Sequence, residues 1–271
     1  MSMGYRGRRI LAFALGLSIL LSLLCVNIGA YSVMTDENVF RHYENDGMKI
    51  ALTFDDGPSG KYTAEILDYL KEEQVRATFF VVGTQVSQFP ELLIRETNEG
   101  HEIGNHTDTH PRLSGAAYSI CDRCKKYFGG AKLVSIPEES SCSCGSACGC
   151  SALEDEIFRC EALVYELTEK QTSLFRPPEG YCTEEISSIA AAMDYRIILW
   201  NIDTRDWDKT MAADIAENIL SSVQSGDIIL FHDSVSRRDS QTLAALKMVI
   251  PILKSQGYRF VTVSELIEAE S

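Results

Sequence analysis

The sequence predicts an α/β fold built on parallel strands. Short apolar runs alternate along the chain with helical patterns of ten or more residues, which is the order of strand–helix units. Candidate catalytic side chains follow several of these runs directly, as they do at the carboxyl-terminal face of a barrel. Both observations fit a barrel and a doubly wound open sheet equally well, so the pattern alone leaves both open.

The length and charge of the chain limit the number of domains and the kinds of partner that it can have. A chain of 271 residues with 45% hydrophobic content holds one domain with room for an appendage, because a domain typically takes ~100–200 residues. The net charge of −14 argues against nucleic-acid binding, which needs a basic surface. A neutral or cationic glycan suits this charge better.

The first 30 residues have the pattern of a targeting segment. Three arginines lie within the first nine residues, and an apolar run extends from there to about residue 30. That length fits a membrane span of ~20 residues, and the basic flank predicts that the amino terminus stays inside. An uncleaved anchor is the favoured interpretation and a cleaved secretory signal the alternative; both place the rest of the chain outside the cytoplasm. Residues 31–46, polar and without pattern, are predicted to be a linker.

The predicted catalytic domain, residues 47–271, begins with a buried strand. Six apolar, β-branched or aromatic runs indicate strands, and the pair 174–175 before Arg176 is a candidate seventh. The first run stops at Gly57-Pro58, a turn signal. The six runs lie at residues 48–54, 77–82, 101–105, 196–200, 227–231 and 259–261.

Helical patterns separate these strands. The first has apolar residues at Ile66, Leu67 and Leu70, on one face. The second begins at Pro90 and is followed by Gly100, which are typical helix start and stop signals. The predicted helices lie at residues 63–73, 90–99, 153–170, 184–193, 212–223, 243–255 and 264–269.

Residues 118–151 interrupt the alternation. The stretch has no long apolar period, and Ser, Gly and Cys dominate its second half. In an oxidising compartment, disulfides in such a coreless loop are the favoured interpretation, with a thiolate metal site and free thiols as alternatives. The pairing cannot be deduced from the sequence. The six cysteines are Cys121, Cys124, Cys142, Cys144, Cys148 and Cys150.

Two adjacent carboxylates follow the first strand. Asp55 and Asp56 lie between the apolar run and Gly57-Pro58. Adjacent strand residues point to opposite faces, but at a strand end both can turn into one cleft. Two acids held this close repel each other, and a divalent cation is the strongest candidate for the compensating charge.

Two histidines supply further candidate ligands. His106 and His110 are four residues apart, a spacing that puts both imidazoles on one face of a helical turn. Two histidines and one carboxylate leave coordination positions open for water. That arrangement is typical of a catalytic rather than a structural zinc site.

With three further stretches, these motifs resemble a known family. The five stretches, in order, are Thr53-Phe54-Asp55-Asp56-Gly57-Pro58, His106-Thr107-Asp108-Thr109-His110, Arg176-Pro177-Pro178-Glu179-Gly180, Asp203-Thr204-Arg205-Asp206-Trp207 and Leu230-Phe231-His232. They are similar to the five ordered motifs of the NodB-type polysaccharide deacetylases, carbohydrate esterase family four, from about residue 48 to the C-terminus. The resemblance implies a distorted (β/α)7 barrel, with residues 118–151 as an insertion.

The resemblance also implies which residues carry the reaction. Asp56, His106 and His110 would hold Zn²⁺ or another divalent transition metal such as Co²⁺. Asp55 would act as general base. Spacing alone could not assign this order of base and ligand.

The remaining motifs imply a partner for the general base, a general acid and a partner for that acid. Arg176 would fix the direction of Asp55. His232 would protonate the departing amine, since a histidine near its ordinary pKa of ~6.5 can do this at neutral pH. Asp206 would hold His232 charged and oriented.

Three further residues are implied to contact the substrate. The backbone N–H of Glu179 would help stabilise the oxyanion. Trp207 would wall the sugar groove. Leu230 would wall the acetyl pocket, with plain core packing as the alternative. The family usually has Tyr where this chain has Glu179, which leaves the substrate preference open.

The expected reaction is hydrolysis of an N-acetyl group on an amino-sugar polymer. Peptidoglycan N-acetylglucosamine is the favoured substrate, and chitooligosaccharides, an exopolysaccharide or the O-acetyl esters of xylan are alternatives. An inactive glycan-binding module is a different class, against which the filled catalytic positions argue. A metal or redox sensor based on the cysteine-rich stretch is a third. The expected partners are the acetylated glycan and, through residues 1–30, a membrane; the sequence does not determine the oligomeric state.

Overall fold

The computed structural model describes residues 38–44, 47–113, 150–234 and 241–268. These residues belong to one compact unit, Glu37–Ser271. The predicted anchor at residues 1–30 and the cysteines of the predicted insertion before Cys150 lie outside the described residues. Among the helices of these four ranges, none is both long and apolar enough to cross a bilayer.

The described strands form one sheet with parallel ladders throughout. They are β1 Val39–Phe40, β2 Lys49–Asp55, β3 Thr78–Val81, β4 Glu102–Asn105, β5 Leu174–Phe175, β6 Arg196–Ile198, β7 Ile202–Asp203, β8 Ile228–His232 and β9 Arg259–Phe260. Their order is β1-β6-β5-β4-β3-β2-β8-β7, and β9 pairs with the beginning of β2.

The sheet curves into an open half-barrel. Strands β1 and β7 are the two ends of the strand order, and no ladder between them occurs in the described ranges. A single antiparallel bridge, His42 to Asp227, connects the chain after β1 with the residue before β8. The predicted α/β fold with parallel strands is therefore confirmed, with the barrel left open between β1 and β7.

Eight α-helices occur in the described ranges, seven between strands and one after the last strand. They are α1 Gly60–Glu72, α2 Gly83–Gln88, α3 Pro90–Asn98, α4 Cys150–Thr168, α5 Glu184–Ala192, α6 Ala212–Ser222, α7 Thr242–Ser255 and α8 Val263–Ile267. Capping explains several of their starts. Thr183 accepts a hydrogen bond from the Ile186 N–H, and Thr262 with Glu265 forms a capping box.

The described ranges contain two short strands and one short α-helix that the sequence pattern does not predict. Strand β1 lies inside the predicted linker at residues 31–46, so the linker prediction is wrong for Val39–Phe40. These two residues pair with Ile197 and Ile198 of β6. Strand β7 has two residues and α2 has six. Elements this short show no measurable periodicity.

Strand β2 lies at the centre and separates the two sides of the sheet. Ile50, Leu52 and Phe54 point to the helix layer and belong to the largest apolar cluster. The alternate residues, Thr53 and Asp55, point to the interior of the half-barrel and are also buried. The alternation therefore directs the Asp55 carboxylate into the half-barrel interior at its carboxyl-terminal edge.

Candidate active site

The candidate catalytic residues lie at the carboxyl ends of neighbouring strands. In the parallel register, Asp55 of β2 is opposite His232 of β8. On the other side, Asn105 at the end of β4 is opposite Phe175 of β5, so His106 and Arg176 leave the sheet together. Parallel pairing thus brings residues far apart in sequence to one edge, as predicted from their positions after strands.

Arg176 is buried in the half-barrel and holds Asp55. Its side chain is fully buried, and Nη1 donates to Asp55 Oδ1 at 2.6 Å and to Thr53 Oγ1 at 2.9 Å. The other nitrogens donate to the carbonyl oxygens of Ile198 and Leu199, and the guanidinium lies 4.0 Å from the centre of the Phe80 ring. With every arm of the guanidinium bound, the Asp55 carboxylate has one fixed direction.

Asp56 reaches the same cleft through an unusual backbone conformation. Its φ angle is 73°, in the left-handed region, which turns the chain sharply after β2. The side chain of Asp55 leaves the strand normally, and Asp56 turns back beside it. The predicted convergence of the two carboxylates occurs, and the left-handed turn produces it.

The two histidines come together in a loop. The predicted helical turn at residues 106–110 is wrong, because Thr107 and His110 have positive φ angles of 72° and 53°. Glu156 of α4 holds this loop by accepting hydrogen bonds from the N–H groups of Asp108 and Thr109. The two imidazole centres are 5.0 Å apart all the same.

Asp56, His106 and His110 form a group that fits a metal ion. One ligand atom from each lies within 4.8 Å of the others. Asp56 Oδ1 is 3.5 Å from His106 Nε2 and 3.2 Å from His110 Nε2. That oxygen is buried and has no hydrogen-bond partner among the described residues, as expected of an atom meant for a cation.

The hydrogen bond on the far side of His106 fixes the tautomer that a metal needs. His106 Nδ1 donates to the carbonyl oxygen of Arg176 at 2.6 Å. A carbonyl can only accept, so Nδ1 carries the proton and the Nε2 lone pair of the neutral ring faces Asp56. Metal-binding histidines are commonly oriented in this way.

The ionisable side chains of this group shift one another's pKa values. Burial opposes ionisation of Asp56, but His106, with smaller effects of His232 and His110, lowers the pKa of Asp56 to about 2. Burial disfavours the charged form of His106, yet the carboxylates of Asp55 and Asp56 raise its pKa. Burial and then the neighbouring His106 lower the pKa of His110. The two carboxylates therefore favour a positive charge beside them, which a bound cation would supply.

A second hydrogen-bonded pair lies beside this group. His232 Nδ1 is 2.7 Å from Asp206 Oδ1, and the His232 backbone N–H donates to Asp206 Oδ2 at 2.9 Å. Thr242 Oγ1 also donates to Asp206 Oδ2, at 2.7 Å. Burial opposes the charge, but the bond and charge of Asp206, with Asp55 and Asp56, raise the pKa of His232 to about 9.

The three predicted substrate residues lie in different surroundings. Glu179 has a φ angle of 58°, and its carboxylate pairs with Arg112 Nε at 3.1 Å. Trp207 follows Asp206 and is 51% exposed. Leu230 is 2% exposed and lies two residues before His232, on the same face of β8.

Comparison with known proteins identifies the family. A family model described as polysaccharide deacetylase matches residues 42–198, more than half of the chain. The chain belongs to the polysaccharide deacetylase family. A peptidoglycan-N-acetylglucosamine deacetylase of Bacillus cereus is 37% identical over 225 residues, which cover 82% of this chain and 90% of that protein.

Solved structures of this family have the same fold. The crystal structure of the Bc1960 peptidoglycan N-acetylglucosamine deacetylase matches with a TM-score of 0.72 at 29% identity, covering 88% of this chain and 96% of that one. A family 4 acetyl xylan esterase from Clostridium thermocellum, in complex with a cobalt ion, matches with a TM-score of 0.63 at 30% identity, covering 82% and 91%. This chain is therefore a polysaccharide deacetylase with the same fold, and its Asp-His-His group is a candidate for the family's metal site.

Sequence reasoning missed the residues that hold the predicted ones in place. Thr53, Glu156 and Thr242 hydrogen-bond to Arg176, to the histidine loop and to Asp206, respectively. Thr242 and Glu156 are 36 and 47 positions from their partners. Nothing in the local pattern signals such distant contacts.

Proposed function

We propose that this deacetylase removes N-acetyl groups from N-acetylglucosamine in peptidoglycan. The observation that carries the proposal is the convergence of three candidate metal ligands with a carboxylate fixed by Arg176 on one side and a histidine hydrogen-bonded to Asp206 on the other. The peptidoglycan assignment is supported by the 37% identical Bacillus cereus protein, whose name gives that substrate.

Zinc is the proposed metal, with cobalt as an alternative. Asp56, His106 and His110 would hold it, and the partnerless Asp56 Oδ1 and the tautomer of His106 support this set. Bound zinc can lower the pKa of a coordinated water to ~7 and polarise a carbonyl. With three protein ligands, positions remain for water and substrate.

Asp55 is the proposed general base. Arg176 occupies its Oδ1, so the proton of the attacking water goes to Oδ2, which lies 3.8 Å from His106 Nε2. As the water oxygen bonds to the acetyl carbon, Asp55 takes the proton and the carbonyl oxygen becomes an oxyanion. The carboxylate needs no reorientation for this step, because Arg176 already fixes it.

The Glu179 backbone N–H is the proposed donor to that oxyanion. Pro177 and Pro178 have no backbone N–H, so Glu179 supplies the first backbone donor after Arg176. The Glu179 side chain is not needed for this role, and its pairing with Arg112 keeps it on the rim.

His232 is the proposed general acid. The Asp206 bond to Nδ1 leaves Nε2 of the imidazolium as the donor to the departing nitrogen. When Nε2 gives its proton to that nitrogen, the C–N bond breaks and yields acetate and the free amine. Trp207, half exposed, is the proposed wall of the sugar groove, and Leu230, behind His232, that of the acetyl pocket.

Residues 1–30 are proposed to anchor the enzyme so that residues 47–271 work outside the cytoplasm. The basic flank and apolar run support this orientation. Peptidoglycan lies outside the cytoplasmic membrane, so the placement agrees with the proposed substrate. The cysteines of residues 118–151 are proposed to form disulfides there.

A substrate panel tests the proposal. Acetate release is measured on peptidoglycan glycan, N-acetylglucosamine oligomers and acetylated xylan, with Asp55→Asn as the matched inactive variant. The proposal expects the highest kcat/KM on peptidoglycan. A higher kcat/KM on acetylated xylan would favour an acetyl xylan esterase, an alternative supported by the match to the esterase structure. No release from any of the three by wild type would favour a glycan-binding module.

A further inference from the structure

Asp233 links the strand of the proposed acid to the loop of the proposed base. It directly follows His232 and is 1% exposed. Its backbone N–H donates to the Asp55 carbonyl oxygen at 3.2 Å, and Ser59 Oγ donates to the Asp233 carbonyl oxygen at 2.5 Å. The backbone of Asp233 therefore contacts this loop on both sides of Asp56.

The Asp233 carboxylate continues to the start of α1. Thr63 Oγ1 donates to Asp233 Oδ2 at 2.5 Å, and the Ser59 N–H donates to Thr63 Oγ1 at 2.7 Å. The carboxylate thus ties the end of β8 to the first turn of α1 across the loop of residues 56–59.

Gly57 shows how closely the carboxylate packs against this loop. A Cβ at position 57 would lie 2.1 Å from Asp233 Oδ2 and 2.3 Å from Oδ1. No side chain fits there, because the Asp233 carboxylate already occupies the space. The Asp233 carboxylate therefore packs directly against Gly57, the residue after Asp56.

The left-handed backbone of Asp56 makes such a support necessary. A non-glycine residue in this conformation is strained and persists only where neighbouring contacts enforce it. Asp233 supplies contacts to Asp55 before the strained residue and to Gly57 after it. Oδ1 of Asp233 is buried and has no hydrogen-bond partner in the described ranges. Hydrogen bonding alone therefore does not explain why a carboxylate is buried at this position.

We propose that Asp233 is a positioning residue whose carboxylate holds the loop of residues 56–59 and so sets the position of Asp56 relative to His106 and His110. This inference rests on the proposed function only in taking Asp56 as a metal ligand and Asp55 as the base. The role is mechanical: Asp233 contacts the loop backbone and Thr63, and it is not one of the proposed metal ligands.

The test compares two buried aspartates at opposite ends of β8. Asp227 directly precedes β8, is 2% exposed, and accepts hydrogen bonds from Asn201 and from the Gln224 N–H. It lies six positions before Asp233, about 20 Å along a strand. Asp227→Ala therefore reproduces the loss of a buried, hydrogen-bonded carboxylate without touching the loop.

Zinc affinity of the metal-free full chain is the principal readout, with kcat and KM beside it. Asp233→Ala is expected to weaken zinc binding about 10–100-fold, as loss of a residue supporting a metal ligand typically does, and to lower kcat with little change in KM. Asp227→Ala is expected to keep wild-type zinc affinity even where it lowers thermal stability. Asp233→Asn, which keeps an acceptor for Thr63, is expected to recover most of the affinity.

Two results would overturn the inference. One is a folded Asp233→Ala variant whose zinc affinity falls no further than that of Asp227→Ala, including no fall at all. The other is Asp233→Asn binding zinc as weakly as Asp233→Ala, which would remove the hydrogen-bond basis. If wild type binds zinc through His106 but releases no acetate, the proposed function fails while the zinc data still test Asp233.

Discussion

The change Asp206→Asn tests the proposed acid most sharply. Asp206 Oδ2 accepts from the His232 backbone N–H at 2.9 Å and from Thr242 Oγ1 at 2.7 Å, while Oδ1 lies 2.7 Å from His232 Nδ1. A backbone N–H can only donate, so an asparagine here must keep its carbonyl oxygen on that side. Its NH₂ group then points at His232 Nδ1, which must accept. The substitution therefore forces His232 into the neutral form.

The expected size of the effect follows from the pKa of His232. Burial opposes the imidazolium, and Asp206, with Asp55 and Asp56, raises the pKa from 6.5 to about 9. That difference corresponds to ~3 kcal/mol in favour of the charged form. Without the Asp206 charge, burial is no longer offset and the pKa is expected below 6.5. A bound divalent cation offsets Asp55 and Asp56, so the wild-type alkaline limb is expected below 9.

The assay is the pH profile of kcat/KM for acetate release. His232 is active when protonated, so activity is lost as pH rises through its pKa. Asp206→Asn is expected to move the alkaline limb to lower pH by ~2.5 units, with ~30-fold loss at pH 8 and less at pH 6.

Two controls isolate the charge of Asp206. Thr242→Val removes one hydrogen bond and keeps the carboxylate, so it is expected to shift the limb far less. Zinc affinity is expected to be unchanged in both variants, because neither residue is a proposed ligand and their side-chain hydrogen bonds go to His232 and to each other. Superimposable alkaline limbs of wild type and a folded Asp206→Asn enzyme would refute the reasoning.

Three further outcomes are expected. His106→Ala, lacking one of three ligands, should lose stoichiometric zinc in metal analysis; a full equivalent of bound zinc would refute the ligand set. Asp55→Asn can still accept from Arg176, so it should keep zinc but lose ~10²–10⁴-fold in kcat. Burial lowers the pKa of His101 to about 4, so the free energy of unfolding should fall by ~3 kcal/mol between pH 6.5 and 4. Denaturation of His101→Asn should show a smaller fall, and an equal fall in both proteins would contradict this.

The strands and longer helices were predictable because burial leaves a periodic trace. Strand β2 is buried on both faces from Ile50 to Asp55, and α1 buries one face. Strands β1 and β7, with two residues each, have no period to detect. Their places depend on pairing with distant strands, which a local pattern does not encode.

The candidate site was predictable in its residues and less so in its geometry. The spacing of His106 and His110 indicated a helical turn, but the structure uses a loop with left-handed residues held by Glu156. Such a loop depends on a helix 47 positions away along the chain. Asp233 was visible only as an acid after His232; its contact with Gly57 required the folded chain.

Chelation of the wild-type enzyme tests the central claim most directly. Acetate release from peptidoglycan is measured before and after removal of metal with a chelator, and again after zinc is restored. The account predicts release that stops on chelation and returns with zinc, and that His106→Ala does not recover. Release that continues undiminished in the chelated enzyme would contradict a reaction that depends on a metal held by Asp56, His106 and His110.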